Sequence, residues 1–350
     1  MNKRVLFASL VVLAVVAALW FRTTSSHGKG TPEVASPTAA APAPAARAPA
    51  QPALRPAADD EAPKPSGGPT FFARWGGGPG ELGRERPQEG NPVGPMSFAA
   101  DSRGRLTVLD GVNGRLVRRG DSGEPDQTFP IDVVNPEDVA VGPRGESAVL
   151  DRHRDKAVSI YDESGKSRGK LPLEGEGVAD PGSVTGVFVD GEDVYVEREH
   201  GPLVKIGNLS GVPASPLSEL PGRPSRDGKS LLKAGIIEAP AGRVYVTSMD
   251  RSKLAHRFTR ELALPSAVHM IALLDSDKRG TIYFAAEISG GEVVLYCLDG
   301  ASGAPAGSAS LPANTLPEES MRDFVVLDDG GVIQALRSEE GVSYTRYDCH

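Results

Sequence analysis

The sequence predicts an all-β fold, a six-bladed β-propeller, preceded by an N-terminal transmembrane helix and a disordered linker rich in Ala and Pro. Three observations favour the propeller. A pattern of apolar stretch, glycine-containing turn and alternating apolar residues recurs six times after residue 70. The turn glycines of successive copies are 41, 46, 51, 38 and 50 residues apart, which is the length of a four-stranded blade. Helical periodicity is nearly absent from this part of the chain.

Residues 1–22 are expected to form a signal anchor. Lys3 and Arg4 precede an almost entirely apolar run from Val5 to Phe21, which is long enough for one bilayer crossing at about 1.5 Å per residue. Positive charge before the run orients the N-terminus toward the cytoplasm, so the rest of the chain is expected outside it, in the periplasm of a bacterium. A cleaved signal peptide, which would release a secreted domain, is the alternative.

Residues 23–70 are expected to form a disordered tether. Ala, Pro, Ser and small polar residues dominate this stretch, and no apolar periodicity offers a surface to bury. Stretched as polyproline II at about 3.1 Å per residue, it would hold the domain on the order of 100 Å from the bilayer. The folded domain is therefore assigned to residues 71–350.

Each repeat copy supplies a first and a second strand. The clearest copies are residues 98–110 and 139–151, each with a glycine between two apolar runs. The later copies keep the strand pattern, with turn glycines at Gly191, Gly242, Gly280 and Gly330. In the fourth copy the pattern assigns residues 236–237 to the first strand, 244–246 to the second and 257–258 to the third.

The two limits of the domain complement each other. The last copy ends without a fourth strand, while residues 71–75 form a strand candidate before the first copy begins. Pairing that strand into the last blade would close the ring and remove exposed sheet edges. We therefore predict a propeller closed by both termini.

Composition restricts the classes of function. Of the 350 residues, 39% are hydrophobic and 24% are charged, so the chain can bury one large core. The net charge of −8 argues against a nucleic-acid partner, because neutralising phosphates requires clustered Lys and Arg. With only Cys297 and Cys349 present, a disulfide-stapled scaffold and a thiolate-rich metal site are excluded. Two buried thiols and one bond between them are both compatible with the sequence.

The blade pattern resembles the NHL-repeat and TolB-like group of six-bladed propellers. The resemblance rests on residues 91–101, on residues 106–116, and on residues 135–141, which repeat the approach to the first strand. It covers residues 71–165 best, since the later copies lose the Asp and Asn marks. It implies the fold, and hardly any activity.

Three stretches resemble known motifs but are not assigned the chemistry of those motifs. Residues 120–123 read Gly-Asp-Ser-Gly, as around a protease nucleophile, but the same repeat position holds turn residues in other copies. Residues 78–83 match a GxGxxG pattern, but no helix is predicted after them. Residues 275–280 resemble part of a calcium loop whose final Glu is replaced by Ala286.

The more serious candidates share one face of the predicted propeller. Loops that lead into first strands and loops that join second to third strands lie together around the central channel. Asp138 and Asp323 occupy equivalent positions before first strands, His153 and His200 follow second strands, and His269 lies near another first strand. Imidazole and carboxylate groups ligate divalent metals, so these five are weak candidate ligands, with Asp138 and Asp323 as weak catalytic candidates.

Charged residues crowd the same loops. Arg152, Arg154, Arg198, Glu197 and Glu199 form a mixed-charge rim that suits contact with another protein. A solvated surface is the alternative for these residues.

Two functions remain open from the sequence. The first is a non-enzymatic binding or scaffold module of the cell envelope, without a cofactor, whose partner is a protein or glycan. The second is a metal-dependent lyase or lactonase with its site at the channel mouth, because some six-bladed propellers are such enzymes. It would use Asp138, Asp323 and His269, with His153 or His200 as a further ligand or base.

Overall fold

The computed structural model describes residues 71–119, 126–175 and 177–349. Within these residues, 24 strands form six four-stranded antiparallel sheets. In each sheet the hydrogen-bonded neighbours are consecutive in the chain, except that the first described strand joins the last sheet. The first strands of neighbouring sheets contact each other around most of the ring. This is a six-bladed β-propeller, as the repeat and its resemblance to NHL-repeat and TolB-like proteins predicted.

The first strand of the described chain, β1 (Phe71–Arg74), belongs to the last blade. Blade 1 contains β2 (Ser97–Ala100), β3 (Leu106–Asp110), β4 (Arg115–Arg118) and β5 (Gln127–Pro130). Blade 2 contains β6 (Asp138–Val141), β7 (Ser147–Asp151), β8 (Ala157–Tyr161) and β9 (Ser167–Pro172). After a 3-10 turn at Pro181–Ser183, blade 3 contains β10 (Val184–Asp190), β11 (Asp193–Arg198), β12 (Leu203–Asn208) and β13 (Pro213–Leu220).

The second half of the ring has the same order. Blade 4 contains β14 (Arg223–Pro224), β15 (Ser230–Glu238), β16 (Arg243–Asp250) and β17 (His256–Ala263). Blade 5 contains β18 (Val268–Ser276), β19 (Thr281–Ile288), β20 (Glu292–Asp299) and β21 (Pro305–Pro312). Blade 6 contains β22 (Phe324–Val326), β23 (Val332–Arg337), β24 (Gly341–Tyr347) and the returning β1.

The hydrophobic core lies between adjacent blades. Strands such as β7 and β8 are buried along their whole length, because both faces of the sheet pack against neighbouring sheets. Five apolar clusters span blades 1–2, 2–3, 4–5, 5–6 and 6–1. In the described part of the chain, none of these clusters spans blades 3 and 4. Two ion pairs, Arg223–Glu197 and Arg251–Asp190, cross that boundary.

Pairing of β1 with β24 closes the ring. Phe71 is opposite Tyr344 in the antiparallel register, and their rings stack at 4.3 Å between centroids. Tyr344 also meets the edge of Phe98 in blade 1 at 5.1 Å, so the closure is tied to the next blade. Beyond β1, Trp75 Nε1 donates to the carbonyl oxygen of Ser338 at 2.9 Å. The predicted closure by both termini is confirmed.

A disulfide connects the last two blades. Cys297 lies on β20 and Cys349 follows β24, with 6.2 Å between their Cα atoms. The bond joins residues 52 positions apart, so it shortens the unfolded chain by a large loop. The sequence alone was compatible both with this bond and with two buried thiols.

The strand assignment in the fourth repeat copy is wrong by one strand. Residues 236–237 belong to the second strand β15, while residues 244–246 and 257–258 belong to the third and fourth strands. The turn between first and second strands is at Gly228, whose φ of +74° suits glycine, and not at Gly242. The true first strand, β14, is two residues long and has no apolar run.

Several sequence predictions fall outside the described residues. These are the anchor at 1–22, the linker at 23–70 and the Gly-Asp-Ser-Gly stretch at 120–123. Among the residues that the structure describes, no helix is long and apolar enough to span a membrane. The anchor and the linker therefore stay predictions.

Replacing Tyr344 by Ala should destabilise the domain strongly. The side chain is fully buried between Phe71 and Phe98, so truncation leaves a cavity at the ring closure and should cost about 3–5 kcal/mol. Phe72→Ala is the matched control, because Phe72 is 45% exposed on the neighbouring position of β1. Urea unfolding of both variants checks this, and equal losses of stability would contradict the role assigned to the closure.

Cys349→Ser should lower the free energy of unfolding by about 2–4 kcal/mol, because the variant frees a long loop in the unfolded chain. The measurement is denaturant unfolding with and without a reducing agent. Reduced wild type should unfold like the variant. A variant as stable as oxidised wild type would show that the bond does not contribute.

Candidate functional site

A cavity, which we call the channel, lies between the first strands of the blades. It encloses about 210 Å³ and is lined by the first strands of all six blades. One end carries the loops that lead into first strands. We call this end, with Asp138, Glu197, Arg223 and Arg322 around it, the upper mouth.

Asp138 joins four blades at the upper mouth. Its buried carboxylate accepts hydrogen bonds from Ser97 Oγ at 2.5 Å and from the backbone N–H of Val187 at 2.8 Å. Arg322 Nη2 donates to the same carboxylate at 2.7 Å and also to the carbonyl oxygen of Val187 at 2.9 Å. These partners come from blades 1, 3 and 6, whereas Asp138 begins the first strand of blade 2. The carboxylate therefore has a structural role in holding the channel together.

Asp323 does not share a partner with Asp138. Its carboxylate accepts hydrogen bonds from Arg337 Nη2 at 2.6 Å and from Asn314 Nδ2 at 3.0 Å, all within blade 6 and the loop before it. The preceding residue, Arg322, reaches Asp138 instead. Although Asp138 and Asp323 occupy equivalent positions in the repeat, their carboxylates therefore have different partners.

The three candidate histidines are also separate. His153 Nε2 lies 3.5 Å from Glu137 Oε1, and His200 Nδ1 lies 3.6 Å from Glu197 Oε2. His269 Nε2 is hydrogen-bonded to Ser289 Oγ at 3.0 Å. All three side chains are more than half exposed. Among the residues that the structure describes, no three His, Cys, Asp or Glu side chains form a group suited to a metal ion.

Glu197 and Arg223 form the second ion pair of the upper mouth, with the carboxylate buried and the guanidinium partly exposed. Arg223 Nε and Nη2 donate to the two carboxylate oxygens at 2.7 and 3.0 Å, a fork that matches the carboxylate. Thr185 Oγ1 donates to Glu197 at 3.0 Å, and Arg223 Nη1 donates to the carbonyl oxygen of Leu274 at 3.0 Å. The pair therefore links blades 3, 4 and 5.

Two opposed effects act on the Glu197 carboxyl. Burial by itself raises its pKa, because it disfavours the charged form. The charge of Arg223, the nearby His200 ring and hydrogen bonds from Arg223 and Thr185 outweigh burial and lower the pKa to about 2. Glu197 is consequently an anion at neutral pH whose charge is already compensated.

Most residues of the predicted charged rim are bonded to other groups of the domain, and Arg154 differs from them. Arg152 donates to Glu137 at 3.1 Å and to the carbonyl oxygen of Val184 at 2.7 Å. Arg198 Nη1 donates to the carbonyl oxygen of Gly177 at 2.5 Å and is 3.2 Å from Glu219. Glu197 is buried, as described above. Within the described ranges the Arg154 side chain forms no ion pair, so it resembles the free rim that the sequence suggested.

Residues 275–280 lie at the turn between two strands, as predicted, and no helix follows residues 78–83 in the described chain up to residue 119. Within residues 78–83, the backbone N–H of Gly78 donates to Glu81 Oε2 at 2.8 Å. Within residues 275–280, Asp277 Oδ1 accepts the N–H groups of Arg279 and Thr281, both at 2.9 Å, between β18 and β19.

Sequence reasoning missed a groove between blades 4 and 5. The two residues of β14 pair only with Leu231 and Leu232 of β15, so residues 233–238 of β15 lack a first-strand neighbour. The space beside them, bounded on its other side by β18, measures about 490 Å³. We call it the blade 4–5 groove; its lining includes His200, Lys233, Ala234, Ile236, Met270 and Ile271.

The groove is largely apolar. Ala234 and Ile271 pack against the core cluster of blades 4 and 5, whereas Ile236 and Met270 are 42% and 52% exposed. Large apolar side chains with this exposure beside a recess are typical of binding surfaces. A signal in the sequence was the lack of any apolar run before Ser230 in this copy.

Comparison with known proteins finds no relative by sequence and only weak structural matches. No protein-family model matches the chain, and no curated protein matches it significantly. Hydrazine synthase of Kuenenia stuttgartiensis matches with 16% identity, covering 72% of this chain and 76% of that one, at a TM-score of 0.48. A streptogramin B lyase matches with 12% identity, covering 75% of this chain and 96% of that one, at a TM-score of 0.41. The WD40 repeats of RRP9 match with 9% identity, covering 75% of this chain and 96% of that one, at a TM-score of 0.48. Similarity at this level supports no inference about activity, ligand or partner.

The Glu197–Arg223 pair makes stability depend on pH. Because the pKa of Glu197 falls from 4.5 to about 2 on folding, its contribution is complete above pH 4.5 and is lost as pH falls through about 2. Such a shift corresponds to about 3 kcal/mol. Over this pH range wild type should therefore lose about 3 kcal/mol more stability than Glu197→Gln does.

Urea unfolding at several pH values between these limits checks this expectation. Glu199→Gln is the matched control, because Glu199 is exposed and should leave the pH profile of wild type unchanged. Parallel profiles for wild type and Glu197→Gln would show that the pair does not contribute.

Proposed function

We propose that this protein is a non-enzymatic binding or scaffold module of the cell envelope, which holds a partner at the blade 4–5 groove beside the upper mouth. The observation that carries the proposal is the groove itself, about 490 Å³ of partly apolar space where one blade lacks most of its first strand. This volume lies in the range of about 300–1,000 Å³ that is usual for ligand sites.

The charges at the upper mouth favour binding over catalysis. Asp138 and Glu197, its buried carboxylates, are each held by an arginine and by further hydrogen bonds. A general acid or base must reach a substrate proton, and saturated internal groups do not present one. The exposed side chains of the groove are instead suited to contact with a protein or a glycan.

The proposed location is outside the cytoplasm. The basic start and apolar run of residues 1–22 favour a membrane anchor there, and residues 23–70 have the composition of a tether. The Cys297–Cys349 bond supports the same location, because disulfides persist in oxidising compartments.

Affinity capture from an envelope extract, with the full chain as bait, tests the proposal. Wild type should recover a partner, and the double variant Ile236→Glu with Met270→Glu should recover at least about tenfold less, since it places charge on the apolar lining. Val212→Glu is the control, because Val212 is an exposed apolar residue in the turn between β12 and β13. Equal recovery by all three proteins, or no partner together with turnover of a candidate substrate, would overturn the proposal.

A further inference from the structure

We infer that the blade 4–5 groove receives an extended acidic segment of a partner protein, which adds to β15 as an extra strand. The inference rests on the proposed binding function and names the class of partner. Its elements are an open strand edge, an apolar lining and an uncompensated positive charge.

The open edge belongs to β15. Lys233 and Ala234 pair with Thr247 and Val246 of β16 on one side, but β14 on the other side ends opposite Leu232. In the described part of the chain, residues 233–237 make no backbone hydrogen bond outside the ladder with β16. Alternate N–H and C=O groups along such an edge can pair with an incoming strand.

The length of the edge limits the added strand. Lys233 begins the open stretch, and a bulge between Ile236 and Glu238 ends its regular register. Charge and bulges are the devices by which proteins prevent long edges from aggregating. The remaining regular stretch accommodates a short extended segment, at about 3.3 Å per residue.

Side chains of the added strand would alternate between the groove and solvent. Ala234, Ile236, Met270 and Ile271 line the inward side. They suit one or two apolar side chains at alternate positions of the segment.

Charge favours an acidic segment. Lys233 lies in the lining of the groove and forms no ion pair with any described residue. The Glu197 carboxylate in the same lining is neutralised by Arg223. The charge of Lys233 is therefore available to an acidic segment, on a chain whose net charge is −8.

Selection from a random-peptide display library against the full chain tests the inference. Selected peptides should alternate apolar and acidic residues, and N-methylation of alternate backbone amides should abolish their binding, because strand addition needs those N–H groups. Lys233→Glu should weaken these peptides at least about tenfold and favour versions with lysine in place of the acidic residues. Lys253→Glu is the control, because Lys253 is exposed in the turn between β16 and β17.

The outcomes separate the inference from the proposed function. No selected peptide, no acidic preference, or tolerance of N-methylation overturns strand addition. If capture of an envelope partner still depends on Ile236 and Met270 in that case, the binding function stands and only the class of partner is wrong. If the peptide selection fails and partner capture does not depend on Ile236 and Met270, both the proposed function and the inference are wrong.

Discussion

The ring of blades must close on itself, and this constraint is met by the pairing of β1 with β24. A blade buries its faces only against neighbouring blades, so an open ring would leave two apolar faces in water and an unpaired sheet edge. Stacking of Phe71 on Tyr344 anchors the pairing, and Cys349 ties the same blade to blade 5. The burial of all five apolar clusters therefore depends on residues from both limits of the described chain.

Closure of the ring brings charged side chains from distant repeats together near the axis, where they form ion pairs and hydrogen bonds between blades. Asp138 holds Ser97, Val187 and Arg322 from three other blades. The ion pair of Glu197 with Arg223 joins blades 3 and 4, where no apolar cluster spans the boundary in the described residues. A buried charge without its partner is costly, so these networks favour one arrangement of the blades. The same saturation leaves them little capacity to act on a substrate.

Blade 4 departs from the repeat, and the departure creates the candidate site. Its first strand is reduced to Arg223–Pro224, so part of β15 faces the upper mouth directly. An open edge is normally a hazard, but here it lies beside β18 in a recess, between Lys233 and a bulge. Places where a fold breaks its own local rule are expected to be functional sites.

Local pattern by itself predicted most of the strands, the number of blades and the ring closure, because alternation, turn glycines and repeat spacing are properties of neighbouring residues. It put Asp138 on the face around the channel, but it treated Glu197 as part of a charged rim, whereas this side chain is buried beside Arg223. It failed in blade 4, where Ile236 and Ile237 look like a buried first strand although both are exposed on the second. Only the tertiary structure decided the partners of Asp138, the separation of Asp138 from Asp323 and the existence of the groove. The physical reason is that the contacts of Asp138 with other blades join residues 41 to 184 positions apart, whose proximity depends on the closed ring and not on local sequence.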